Sequence, residues 1–135
     1  MAKPVTHGYS GKPLFQKLGI KPGMRCLTIK APAHYDQLIA GHDDANVSNR
    51  LRSAEMVHLF CRHRADLDKA FPKVLDRISD GGMLWVSWPK KSSDLFEDLT
   101  EDTLREVILP TGWVDVKVCA VDSDWSALKF LKRRK

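Results

Sequence analysis

The chain has 135 residues, 43% hydrophobic and 29% charged, with a formal net charge of +5. That profile fits one soluble domain, residues 1–135, with a real core, and it excludes a disordered or low-complexity chain. No apolar run approaches the roughly 20 residues that a membrane-spanning helix requires, and the first residues lack the apolar stretch of a signal peptide, so a cytoplasmic protein without a membrane partner is expected.

Residues 1–10, with Pro4, Gly8 and polar side chains, read as an irregular N-terminal arm. A short helix is expected over residues 12–18, with Pro13 in its first turn and Gly19 as its C-terminal cap. Lys21-Pro22-Gly23 then turns into a first strand over residues 24–29. A loop from Lys30 to Tyr35 leads into a helix over residues 33–40, stopped at Gly41. The polar run His42-Asp43-Asp44-Ala45-Asn46 precedes a very short strand near Val47, and the next strand covers residues 55–61.

Leu67, Ala70, Phe71, Val74, Leu75 and Ile78 recur at helical spacing, which predicts an amphipathic helix over residues 65–79. Pro72 falls inside it, and an interior proline costs about 3 kcal/mol, so a kink or a start near Lys69 is expected. Asp80-Gly81-Gly82 is a turn signal, and Met83-Leu84-Trp85-Val86 follows without a polar break, as in a strand covered on both faces. Pro89 should end that strand near Trp88. Thr100 is placed to cap a helix over residues 101–109, with Glu101 and Asp102 suiting its positive end. Two strands over residues 114–121 and 126–131, joined by Asp122-Ser123-Asp124, form an antiparallel hairpin. Residues 132–135 are a basic C-terminal tail that holds most of the excess charge.

Strand–helix units closed by a hairpin predict a doubly wound, mostly parallel, Rossmann-like α/β sheet of about six strands ending in an antiparallel hairpin. In open sheets of this kind ligands bind beyond the carboxyl ends of the strands. That places Ser87, Lys90 and Lys91 at a candidate site for an anionic group, although the same residues also make an ordinary solvated loop. The cysteines Cys26, Cys61 and Cys119 each fall inside a predicted strand and have no CxxC spacing, so buried reduced thiols are expected, without a zinc or redox motif. His34 and His42 with Asp43 and Asp44 match no strong metal motif.

Particular segments carry a resemblance. Leu18-Gly19-Ile20-Lys21-Pro22-Gly23-Met24-Arg25-Cys26-Leu27, Ile78-Ser79-Asp80-Gly81-Gly82-Met83-Leu84 and Thr111-Gly112-Trp113-Val114 are similar to the entries into the first strand, the fifth strand and the last hairpin of class I methyltransferases. Tyr9-Ser10-Gly11-Lys12-Pro13-Leu14, Leu84-Trp85-Val86-Ser87-Trp88-Pro89-Lys90-Lys91, Asp98-Leu99-Thr100-Glu101 and Lys117-Val118-Cys119-Ala120-Val121-Asp122 resemble an uncharacterised bacterial family, a domain of unknown function. The resemblance covers nearly the whole chain and implies a small methyltransferase-like Rossmann domain.

Two departures from methyltransferases bear on S-adenosylmethionine as cofactor. The glycine-rich loop after the first strand is replaced by Ala31-Pro32-Ala33-His34, where side chains crowd the backbone and Pro32 lacks a donor. The stretch between Gly41 and Glu55 is one strand–helix unit too short, and no acidic residue clearly stands where the ribose would be held, though Asp43 and Asp44 lie nearby. A non-catalytic domain that binds a ligand or protein partner at the carboxyl edge is therefore expected, through Ala31, Pro32, Tyr35, Ser87, Lys90, Lys91 and Thr100. The alternative is an enzyme acting on a small anionic or nucleotide-like substrate, with His58 or His63 as acid–base candidates. A nucleic-acid module using the basic tail is the third reading. Trp85 and Trp113 read as core, which leaves little of an aromatic stacking platform and argues against nucleic acid.

Overall fold

A computed structural model describes residues 12–132, so the expected arm and residues 133–135 of the tail lie outside the described residues. The helices are α1 (Leu14–Leu18), α2 (Tyr35–Leu38), α3 (Arg64–Leu75) and α4 (Glu101–Ile108). The strands are β1 (Arg25–Ile29), β2 (Asn46–Ser48), β3 (Ala54–Phe60), β4 (Ile78–Pro89), β5 (Trp113–Ala120) and β6 (Trp125–Lys132). They form one sheet in the order β2-β1-β3-β4-β6-β5. The first four strands run parallel; β6 is antiparallel to β4 and to β5. The expected architecture is therefore the observed one. Between Gly41 and Glu55 the chain supplies only the three-residue edge strand β2.

β4 is apolar on both faces because both are covered. Leu84, Val86 and Trp88 pack into the layer of α3 and α4, with Leu67, Phe71, Leu104 and Phe130. Trp85 points into the layer of α1 and α2, with Leu14, Leu18, Tyr35 and Phe60. The Trp85 indole N–H donates to the Leu18 carbonyl at 2.9 Å, which satisfies one of the open carbonyls at the end of α1. Cys26 and Cys119 lie in the α1/α2 layer and Cys61 in the α3/α4 layer; burial raises their thiols to about 11, 11 and 12 respectively, so they stay neutral.

Several boundaries differ from expectation, each for a local reason. α3 starts at Arg64, ahead of Lys69, because Pro72 falls in its last turn on the exposed face, where the lost hydrogen bond matters least. Ile78-Ser79-Asp80 belong to β4 and not to α3. The turn signal at Asp80-Gly81-Gly82 proves to be an irregularity inside that strand: β3 advances from Ala54 to Met56 while β4 advances from Ile78 to Met83. Gly81 takes φ 77°, and a Cβ on Gly82 would stand 2.8 Å from the carbonyl oxygens of both Glu55 and Ser79. α2 is a single turn where eight helical residues were expected, and Cys61 falls one residue past β3.

Gly82→Ala should therefore lower stability by about 1–3 kcal/mol through overpacking against backbone, seen as a lower urea midpoint. Gly23→Ala, with φ 77° but nothing within 4 Å, should cost about 1–2 kcal/mol from backbone strain alone.

Candidate functional site

At the carboxyl edge β1 delivers Lys30, which sits at φ 57°, a left-handed conformation that a lysine adopts only at some cost. Ala31-Pro32-Ala33-His34 follow, closed by a turn in which the Tyr35 amide donates to the Pro32 carbonyl at 3.0 Å. This loop and the end of β2 enclose a recess of about 430 Å³ lined by Lys30, Ala31, Pro32, Tyr35, Ser48 and Asn49, among others. The sequence-predicted residues Ala31, Pro32 and Tyr35 thus come together. Lys90, Lys91 and Thr100 line a second recess of about 430 Å³, with Trp88, Phe96 and the carboxylates of Glu101 and Asp102. Thr100 also caps α4, accepting from the Thr103 amide at 3.3 Å. A further recess of about 450 Å³ lies at the opposite edge, beside the irregular start of β4 and Trp113.

Ser87 joins neither carboxyl-edge group. Its side chain has no exposed surface, and its Oγ lies 2.7 Å from His58 Nε2. On the other side of the ring, Tyr35 Oη lies 2.8 Å from His58 Nδ1. The imidazole is fully buried, and burial pulls its pKa down to about 3, so it is neutral at physiological pH. Burial also holds the Tyr35 phenol protonated well above its ordinary range. In the neutral ring one nitrogen donates and the other accepts, so Tyr35 and Ser87 take opposite hydrogen-bonding roles. His58 stacks on Phe60 at 4.3 Å between centroids, and Tyr35 meets both rings edge-on. Both nitrogens of this catalytic candidate are committed inside the core. His63, the other candidate, is the exposed residue opening α3, with its amide donating to Asp66 at 3.2 Å and its Nδ1 3.9 Å from Asp98.

The chain from Lys90 to Thr100 is tied down across this edge. The Lys90 amide donates to the Asp124 carbonyl and Ser93 Oγ to the Asp124 carboxylate, both at 2.8 Å. Arg62 Nε reaches the Leu95 carbonyl at 3.2 Å, and the Arg64 amide the Asp98 carboxylate at 3.1 Å.

One pair escaped the sequence reading. Asp122 is buried; its Oδ1 accepts from the amides of Asp124 and Trp125, each at 2.8 Å, and its Oδ2 lies 3.0 Å from Nε2 of the half-exposed His34. Burial pushes that carboxyl up, but these hydrogen bonds outweigh it and hold it below its usual range. The Asp-x-Asp turn signal was visible; its partner 88 residues away was not. Asp43 and Asp44 stand elsewhere. The Asp44 carbonyl accepts from the Gly23 amide at 2.9 Å, so both residues precede β2 at the amino edge, away from the recess.

Strand order and direction define an α/β domain of methyltransferase-like fold. The chain is similar in structure to an S-adenosylmethionine-dependent methyltransferase from Aquifex aeolicus (TM-score 0.59, 11% identity, 88% of this chain and 87% of that one). It is also similar to the N-methyltransferase NodS from Bradyrhizobium japonicum (0.53, 10%, 89% and 90%) and to a fibrillarin pre-rRNA processing protein from Methanococcus jannaschii (0.59, 11%, 85% and 69%). At such identities the likeness is one of fold. No protein-family model and no curated protein matches the sequence. Among the described residues no helix is long and apolar enough to cross a membrane.

The buried triad makes a pH prediction. His58 binds its proton more weakly when folded, so its contribution is complete above the ordinary histidine pKa of about 6.5 and is lost as pH falls towards 3, at about 1 kcal/mol per pH unit. His58→Leu should cost about 2–5 kcal/mol by stranding two buried hydroxyls and should flatten the loss between pH 6 and 5. In a Tyr35→Phe, Ser87→Ala background the same substitution should be much milder. Urea unfolding across that pH range checks all three.

Proposed function

We propose that this is a non-catalytic methyltransferase-like domain whose recess at the carboxyl ends of β1 and β2 holds a small anionic ligand. The strained Lys30 carries the reading. Local strain persists where the surrounding structure enforces it, and such positions cluster at ligand sites; here it sets a cation at the mouth of a polar recess. Ser48 and Asn49 would supply hydrogen bonds from the end of β2, and Asp36 of the same lining tempers the positive field of Lys30. Lys90, Lys91 and Thr100 are a second cationic group on the same edge, tempered by Glu101 and Asp102.

The residues present fit S-adenosylmethionine badly. Ala31, Pro32 and Ala33 put side-chain atoms where a glycine loop would admit the cofactor, and the nearby carboxylates Asp43 and Asp44 belong to the other edge. The dependence on that cofactor stated for the Aquifex neighbour makes it the first competitor to test. An enzymatic reading is favoured by one observation: Asp122 holds His34 Nε2 as a buried carboxylate orients a general base, while the ring stays half exposed.

A thermal-shift panel of nucleotides, sugar phosphates, S-adenosylmethionine and S-adenosylhomocysteine tests the proposal. A phosphate-bearing ligand at about 100 times its Kd should add roughly 2.7 kcal/mol of stability, and Lys30→Ala should remove the shift. Lys30→Gly should raise the unliganded midpoint by relieving about 1 kcal/mol of strain while abolishing binding. A shift with the adenosyl compounds alone would overturn the proposal, and its loss in Asp122→Asn would then support the enzyme.

A further inference from the structure

The fold gathers lysines on a surface that shares no residue with the lining of the carboxyl-edge recess. Lys117 of β5 stands directly opposite Lys129 of β6, and Lys129 directly opposite Trp85 of β4. Directly opposed residues of an antiparallel pair share a face. The Trp85 indole reaches Leu18, so that face is the one carrying α1. Lys117 Nζ lies 3.5 Å from the Lys17 carbonyl in α1, and the exposed Lys21 follows directly. The Lys129 ammonium is held below its usual pKa by burial and then by Lys117 and Lys21, so the three share one field.

Residues 12–24, 116–121 and 125–132, which build this surface, contain no aspartate or glutamate. The nearby Asp115 is taken by Arg105 at 2.9 Å. Like charges placed directly opposite each other destabilise a sheet, and here no carboxylate of the same segments offsets them.

We propose that this lysine surface docks the phosphate backbone of a double-stranded nucleic acid. Lysines are point charges that suit phosphates irrespective of sequence, whereas planar bidentate recognition calls for arginine. Trp85, Trp88, Trp113 and Trp125 are all buried, so no tryptophan platform offers stacking to unpaired bases. A bilayer is disfavoured because the described residues of this surface offer no apolar wedge. Of the exposed large apolar residues among the described residues, Leu75 ends α3 and Val118 stands opposite the core residue Leu128 on the other face, leaving Val116 in the β5 bulge.

The full chain is titrated against labelled duplex RNA and duplex DNA by fluorescence anisotropy. Three neutralised phosphates predict a slope of log K against log salt of about −2 to −3 between about 50 and 200 mM. Lys117→Ala with Lys129→Ala should reduce that slope by about 2, weaken binding at low salt about tenfold or more, and leave the thermal midpoint unchanged or higher. If the alanine pair lowers the midpoint, the glutamine pair replaces it. A preference for either duplex supports the proposal and says which source is bound. It is overturned if neither duplex binds, if only anionic phospholipid vesicles bind, if single strands bind more tightly, or if binding survives the double variant but is lost when Lys132, Arg133, Arg134 and Lys135 become alanine.

Discussion

A neutral imidazole with both nitrogens satisfied inside a buried layer is the constraint on which the carboxyl edge depends. His58 tolerates complete burial because Tyr35 and Ser87 occupy its two sides. The pairing ties the one-turn helix α2 to β3 and to β4. A one-residue slip between those strands would turn Ser87 to the other face and strand Nε2, so the triad specifies register as well as position. It also anchors the loop from Lys30 to His34 at its far end, and that loop is the wall of the recess.

The same constraint separates structure from chemistry at this edge. A catalytic histidine needs a reachable nitrogen and a pKa near working pH; His58 has neither, whereas His34 is half exposed with one nitrogen held by a buried carboxylate. The loop between β4 and α4 is bonded to Arg62, Arg64 and Asp124, so it too is fixed in place. Charge is divided as well. Carboxylates attend α4, where Arg105 binds Glu101, Asp102 and Asp115, and the lysines collect on the α1 face of the hairpin.

Much of the fold was legible because local patterns and tertiary demands agree. The helical spacing of Leu67, Phe71 and Val74, the caps Gly19 and Thr100 and the hairpin turn at Asp122-Ser123-Asp124 each report a local preference that packing keeps. The errors arose where sequence signals have two uses. Asp80-Gly81-Gly82 has the chemistry of a turn, and β4 spends it on an irregularity where Gly82 passes close to two carbonyls. Ser87 is a polar residue near a strand end, but its side matters more than its distance from the end, and that side faces His58.

The amino-acid sequence by itself determined the order of elements, their apolar faces and the lack of any glycine between Ile29 and Gly41, because these rest on spacing and residue type within a few positions. Only the tertiary structure decided which polar residues meet. Tyr35, His58 and Ser87, His34 and Asp122, and Lys117 and Lys129 are brought together by strand order and register. Those contacts span 23 to 88 residues in the first two groups, where no local periodicity reaches.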